Sequence, residues 1–110
     1  MKYTIHITKT AERDLNGAAD YIEFTLMNPD AAENLLAETE KKMNSIADFP
    51  EINPLVDDPI LQSWKIRFTV IRNYLAFYLV SDEDSRIYLI RFLYKKRDWI
   101  SILKQGFSLE

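Results

Sequence analysis

The hydrophobic period changes twice along this chain. Tyr3-Thr4-Ile5-His6-Ile7-Thr8 alternates apolar and polar residues and predicts a half-buried strand. From Lys9 to about Met27 the apolar residues fall at helical spacing, with Ala11, Leu15, Ala18, Ala19, Ile22 and Leu26 on one stripe. Asn28-Pro29-Asp30 predicts a helix restart: Asn28 caps the free amides, Pro29 suits the first turn, and Asp30 complements the positive helix end. The second helix runs from Pro29 to about Asp48, with Ala32, Leu35, Leu36, Met43 and Ile46 facing inward. So short a connection makes the pair a helical hairpin. Phe49-Pro50 ends it, because the residue before proline avoids the helical region. Pro50, Pro54 and Pro59 then punctuate a loop to about Ser63.

From Trp64 the period is two. Trp64-Lys65-Ile66-Arg67-Phe68-Thr69-Val70 alternates large apolar with polar or basic residues. Tyr74 to Val80 is apolar throughout and reads as a central strand, Asp82-Glu83-Asp84-Ser85 as a turn, and Arg86 to Leu93 as a further strand. Arg97 to about Lys104 predicts a short closing helix around Trp99, Ile100 and Leu103. The fold class is therefore α+β: a strand, a helical hairpin, and three strands whose short turns make them antiparallel. With both long helices on one face, the apolar second face needs a cover. The C-terminal helix, a second copy and a different protein all fit the pattern.

Composition narrows the chemistry. A chain of 110 residues predicts a single domain over 1–110, and 47% hydrophobic with 28% charged residues excludes a disordered class. There is no cysteine and a single histidine, His6. Thiolate chemistry, disulfides and a histidine-rich metal site drop out, and no cofactor is expected. His6, on the polar face of the first strand, reads as structural or exposed. No run approaches the ~18 apolar residues of a membrane span, which places the expectation in the cytoplasm, away from membranes.

The net charge of −3 is unevenly spread. Residues 1–60 carry five Lys/Arg against twelve Asp/Glu, a net −7, and residues 61–110 carry nine against five, a net +4. A local basic patch matters more for phosphate binding than the total, although mixed charges also simply solvate a surface. Lys65 and Arg67, two apart on the predicted strand, leave the same face. Arg91 lies on the last strand, Tyr94, Lys95, Lys96 and Arg97 follow its end, and Arg72 sits at a turn. Cations near aromatic rings suit a nucleic acid. Each arginine alone also reads as a surface charge or an ion-pair partner. Asp57 and Asp58, in the loop before this region, are acid candidates by position only.

The segment Arg67-Phe68-Thr69-Val70-Ile71-Arg72-Asn73-Tyr74-Leu75-Ala76-Phe77-Tyr78, followed by Ile87 to Trp99 with its block Arg91-Phe92-Leu93-Tyr94-Lys95-Lys96-Arg97-Asp98, resembles the RelE/ParE superfamily of toxins. The helical hairpin and first strand also fit, so the resemblance covers almost the whole chain. It implies a RelE/ParE-like toxin fold: an N-terminal strand and helical hairpin packed on a mostly antiparallel twisted sheet, with a short C-terminal helix. It further implies one half of a type II toxin–antitoxin pair of the plasmid-stabilisation kind, with a cognate antitoxin as partner and either a homodimer or a toxin–antitoxin heterotetramer as the assembly.

Two activities follow from the resemblance. One is a metal-independent, ribosome-dependent mRNA endoribonuclease, an mRNA interferase. There the RNA 2′-hydroxyl attacks the adjacent phosphorus and leaves a 2′,3′-cyclic phosphate. That reaction needs a base, an acid and cations on the phosphorane. By resemblance Arg67 and Arg91 stabilise the phosphate and Tyr94 orients or protonates, while Lys65, Arg72, Lys95, Lys96 and Arg97 bind the RNA backbone. The other activity is inhibition of DNA gyrase without hydrolysis, as in the ParE branch. A third reading is a non-catalytic member that only binds its antitoxin.

Overall fold

The computed structural model describes residues 2–110. β1 (Thr4–Ile7) leads into α1 (Lys9–Asp20), a wide π turn (Tyr21–Thr25) and α2 (Pro29–Asp48). A loop carries α3 (Pro59–Ser63), then come β2 (Arg67–Ile71), β3 (Tyr74–Ser81), β4 (Arg86–Tyr94) and α4 (Trp99–Lys104). The sheet order is β1-β4-β3-β2. β2, β3 and β4 form the expected antiparallel meander, and β1 lies parallel to β4. A hairpin of two helices intervenes between β1 and the meander, long enough for a parallel return.

The caps follow the sequence signals. Thr8 accepts from the Ala11 amide and opens α1, and Asn28 accepts from the Ala31 amide and opens α2 with Pro29 in its first turn. The first helix departs from its expected length. It stays α-helical only to Asp20, then widens so that the Leu26 amide donates to the Tyr21 carbonyl, five residues back, at 3.0 Å. The widening takes Leu26 off the buried stripe: it is exposed, as are Tyr21 and Phe24. Leu36, expected to face inward, is also exposed.

Two cores flank the sheet. On the helical face Leu35, Met43 and Ile46 pack on Ile71, Ala76, Tyr78, Ile87, Leu89 and Phe92. On the other face Val56, Leu61 and Leu103 close over Ile66, Leu75, Phe77, Ile90 and Leu93, with Trp99 and Ile100 alongside. The chain thus covers its own second face with α3, α4 and the loop before them. Each fully buried large side chain there is worth roughly 1.5–3 kcal/mol over its exposed state.

Three local expectations are corrected. The stretch from Pro50 to Ser63 is not all loop. Asp58 accepts from the amides of Ile60 and Leu61 and caps α3 with Pro59 in its first turn, the device already used at Asn28-Pro29. The strand expected from Trp64 begins at Arg67, because Trp64 closes α3 and Lys65 takes a left-handed turn at φ +61°. The closing helix begins at Trp99 with Asp98 as its cap, two residues later than expected.

Candidate functional site

The far ends of β3 and β4 meet the opening of α2. Tyr94 pairs in register with Tyr74, and Tyr74 with Ile71. The tight β2–β3 turn puts Arg72 in the left-handed region at φ +56°. The segment after β4 folds onto that turn: the Lys95 amide donates to the Asn73 carbonyl at 2.8 Å and the Arg97 amide to the Tyr94 carbonyl at 3.0 Å. A cavity of about 650 Å³ opens here, lined by Tyr21, Leu26, Leu35, Arg72, Tyr74 and Tyr94 among others. The π turn forms one wall of it with Tyr21 and Ile22, and Leu26 follows on the same wall. Tyr74 stacks on Phe92 at 5.1 Å and meets Tyr94 edge-on at 5.8 Å. Burial, then the neighbouring Tyr94 and Tyr21, push the Tyr74 phenol above its usual value. Arg72 reaches the cavity with its Nε donating to Glu38 at 2.7 Å, a half-exposed pair worth at most ~1 kcal/mol. Lys95, Lys96 and Arg97 are exposed, and none forms an ion pair among the described residues.

Arg67 and Arg91 are placed elsewhere. Arg67 opens β2 opposite Tyr78 and donates through one Nη to the Asn53 carbonyl at 2.7 Å. Tyr78 belongs to the same tie: its hydroxyl donates to the Pro50 carbonyl and accepts from the Asn53 side chain, both at 3.2 Å. These two side chains clip the 50–54 loop to the sheet. Tyr94 and Arg67 therefore face β3 residues four positions apart, Tyr74 and Tyr78, a separation of ~14 Å along the strand. Arg91 sits at an irregularity where Phe77 pairs with Arg91 but Tyr78 with Leu89, leaving Ile90 as the extra residue of a bulge. Its guanidinium is held by Asp14 of α1 through Nε at 2.7 Å and an Nη at 3.0 Å. Both side chains are mostly buried, at 20% and 14% exposure.

Of the eight candidate positions, the fold gathers Arg72, Tyr94, Lys95, Lys96 and Arg97 at one end and leaves Arg67 and Arg91 along the sheet. Lys65 does not share a strand face with Arg67, as its turn precedes β2. Asp58, an acid candidate by position, is a cap and an ion-pair partner of Lys104. Its carboxyl is held below the usual range, chiefly by the Leu61 amide. His6 lies edge-on to Tyr88, with Nε2 3.2 Å from the Glu110 carbonyl. Among the described residues no cluster of three His, Asp or Glu side chains forms a metal site. Two partners escaped the sequence reading. Asp14 carried a signal: it lies three residues after Ala11 and four before Ala18, on the inward stripe, where a carboxylate requires a cation. Asn53 carried none.

Known proteins place this geometry. A family model described as the ParE toxin of the type II toxin–antitoxin system parDE matches residues 5–99. The chain belongs to the ParE toxin family. No curated protein sequence matches it. Among solved structures it resembles a chain of the chromosomal ParDE toxin–antitoxin system from P. aeruginosa, at 14% identity and a TM-score of 0.67, covering 84% of this chain and 96% of that one. It also resembles a chain of the RelBE2 toxin–antitoxin complex from Mycobacterium tuberculosis, at 17% identity and a TM-score of 0.59, covering 86% and 99%. These likenesses carry the fold. This ParE-family chain has the α+β toxin architecture expected from its sequence, and no helix among its described residues is long and apolar enough to cross a membrane.

Proposed function

We propose that this toxin acts by binding its target rather than by cutting RNA: held inactive by a cognate antitoxin, it engages DNA gyrase when released. The observation that carries this reading is the dispersal of Arg67, Arg91 and Tyr94. A phosphoryl-transfer site needs its cations and proton-transfer group within hydrogen-bond reach of one phosphate. Here Arg91 is committed to Asp14, Arg67 is committed to the Asn53 carbonyl, and Tyr94 stands ~14 Å along the sheet from the Arg67 register position. The Tyr21–Tyr74–Tyr94 cavity, with Arg72 in its lining and the exposed Lys95, Lys96 and Arg97 following Tyr94 in the chain, suits a protein hot spot, where tyrosine and arginine dominate. The family match to ParE toxins points the same way.

The ribosome-dependent endoribonuclease remains the second reading, favoured by the cluster of Tyr94 with Arg72, Lys95, Lys96 and Arg97. One experiment separates the two. The toxin is induced alone, its messages are mapped by primer extension, and the purified chain is added to a gyrase supercoiling assay. Intact messages with lost supercoiling support gyrase binding. In-frame cuts in translated messages that vanish in Y94F would replace it with the ribonuclease.

A further inference from the structure

The opposite pole of the molecule carries a second, differently charged notch. The α2 C-terminus with the loop after it, Tyr3 just before β1, and the β3–β4 turn converge there on a cavity of about 420 Å³. Tyr3, Phe49 and Ile52 supply its apolar surface, and Phe49 and Ile52 are 65% and 63% exposed. Asp48, Glu51 and Asp82 rim it, and no lysine or arginine lines it. None of these three carboxylates forms an ion pair among the described residues, and Glu83 and Asp84 extend the negative turn beside them. Lys2 and Arg86 are the neighbouring cations in sequence, and neither lines the cavity.

The notch is pre-organised. The Tyr3 amide donates to the Ala47 carbonyl at 3.0 Å, the Phe49 amide to the Ser45 carbonyl at 3.0 Å and the Ile52 amide to the Phe49 carbonyl at 3.1 Å. The Tyr3 hydroxyl donates to Asp82 at 2.6 Å. That bond, then burial and the charges of Asp82 and Glu51, hold the phenol protonated above its usual range, as a negative local potential does. Two large apolar side chains kept exposed on a hydrogen-bonded backbone mark an interaction surface, and the carboxylate rim chooses the occupant.

We propose that this notch docks a basic segment of a partner protein, seating a bulky apolar side chain on Phe49 and Ile52 and setting lysines or arginines against Asp48, Glu51 and Asp82. The acidic rim excludes nucleic acid. The 20 residues of α2 separate the notch from the Tyr94 cavity by ~30 Å, so an occupant of one pole leaves the other accessible. The proposal is independent of which target the Tyr94 end engages.

The test is a titration of the full, isotope-labelled chain followed by amide NMR. The probe is a synthetic peptide with a Phe-Leu pair flanked on each side by two lysines, and the control carries glutamates in place of the lysines. The lysine peptide should produce saturable shifts at Tyr3, Phe49, Ile52 and Asp82, and the control should produce none. Affinity should fall about tenfold in D48N/E51Q/D82N, as three rim-exposed ion pairs predict, and comparably in F49S. Well-dispersed spectra establish that each variant is folded. Binding unchanged by F49S would reduce the site to diffuse charge attraction and overturn the proposal. So would shifts centred elsewhere, no saturation, or a second copy of the chain occupying the notch.

Discussion

Asp14 grips Arg91 and the backbone beside it with one carboxylate. Its Oδ2 accepts from Arg91 Nε at 2.7 Å and from the Phe92 amide at 3.1 Å, and its Oδ1 accepts from an Arg91 Nη at 3.0 Å. β1 ends at Ile7, opposite Leu89, and once Thr8 has donated to the Leu89 carbonyl no further strand among the described residues flanks β4 on that edge. The carboxylate takes over as the acceptor that a longer β1 would have provided. D14A leaves a mostly buried guanidinium and a strand amide unpaired, and should cost about 3 kcal/mol in urea unfolding. D14N keeps an acceptor for Phe92 and should cost less. A D14A loss below ~0.5 kcal/mol would mean that the pair is ornamental.

The Arg67 and Tyr78 tie predicts a second effect. Y78F removes the hydroxyl that donates to Pro50 and accepts from Asn53, and should cost ~1 kcal/mol and speed amide exchange around Val56. Burial pushes the Tyr78 phenol above 10.0, against the pull of Asn53 and Arg67. The folded state therefore holds that proton more tightly than the unfolded chain. Stability from this group is complete below pH 10 and declines as pH rises through the folded value. Y78F should flatten the alkaline limb of a stability–pH curve, leaving the slopes that Tyr3 and Tyr74 produce. An unchanged limb would contradict the assignment.

Asp58 predicts the acid limb. Its carboxyl is lowered from 3.8 chiefly by the Leu61 amide, then by Lys104 and the Ile60 amide, against a desolvation that raises it. The stability it contributes is complete above the unfolded value and is lost as pH falls below about 4 through the folded one. D58N should reduce the acid sensitivity and fray α3, seen as faster exchange at Leu61 with little change elsewhere. Equal acid sensitivity in D58N and the parent would shift the effect to other carboxylates.

At the Tyr94 end the test is chemical. If the toxin works by contact, Y94F keeps the ring and toxicity, whereas Y94A weakens target binding by about 2 kcal/mol, roughly thirtyfold. R72E should act in the same direction as Y94A. Growth inhibition after induction, with soluble yield as the folding control, reads out all three. Loss of toxicity in Y94F alone would assign the hydroxyl a proton-transfer role.

The second sheet face predicts a packing effect. Leu103 is fully buried between α4 and the sheet, and L103A should cost about 2–4 kcal/mol. W99A should expose Phe77, which it contacts at a ring separation of 5.4 Å, and raise binding of a hydrophobic dye. A variant as stable as the parent would mean that the α4 packing contributes little to stability.

The amino-acid pattern by itself determined the class and most of the framework. Alternation at Tyr3–Thr8, the Asn28-Pro29 restart and the apolar run at Tyr74–Val80 are local signals, because caps, proline and periodicity act within a few residues. They placed α2 at Pro29–Asp48, and the motif around Arg91–Asp98 identified the toxin family. The tertiary structure alone decided the register that separates Tyr94 from Arg67, the parallel return of β1 and the capture of Arg91 by Asp14, 77 residues away. It also decided that α3 and α4 cover the second face and that the chain's uneven charge resolves into a cationic, tyrosine-lined end and an acidic notch. An arginine on a strand looks the same in sequence whether it meets a phosphate or a buried carboxylate. Which one it meets depends on the long-range packing that brings α1 against β4, and a one-dimensional pattern carries no such distance.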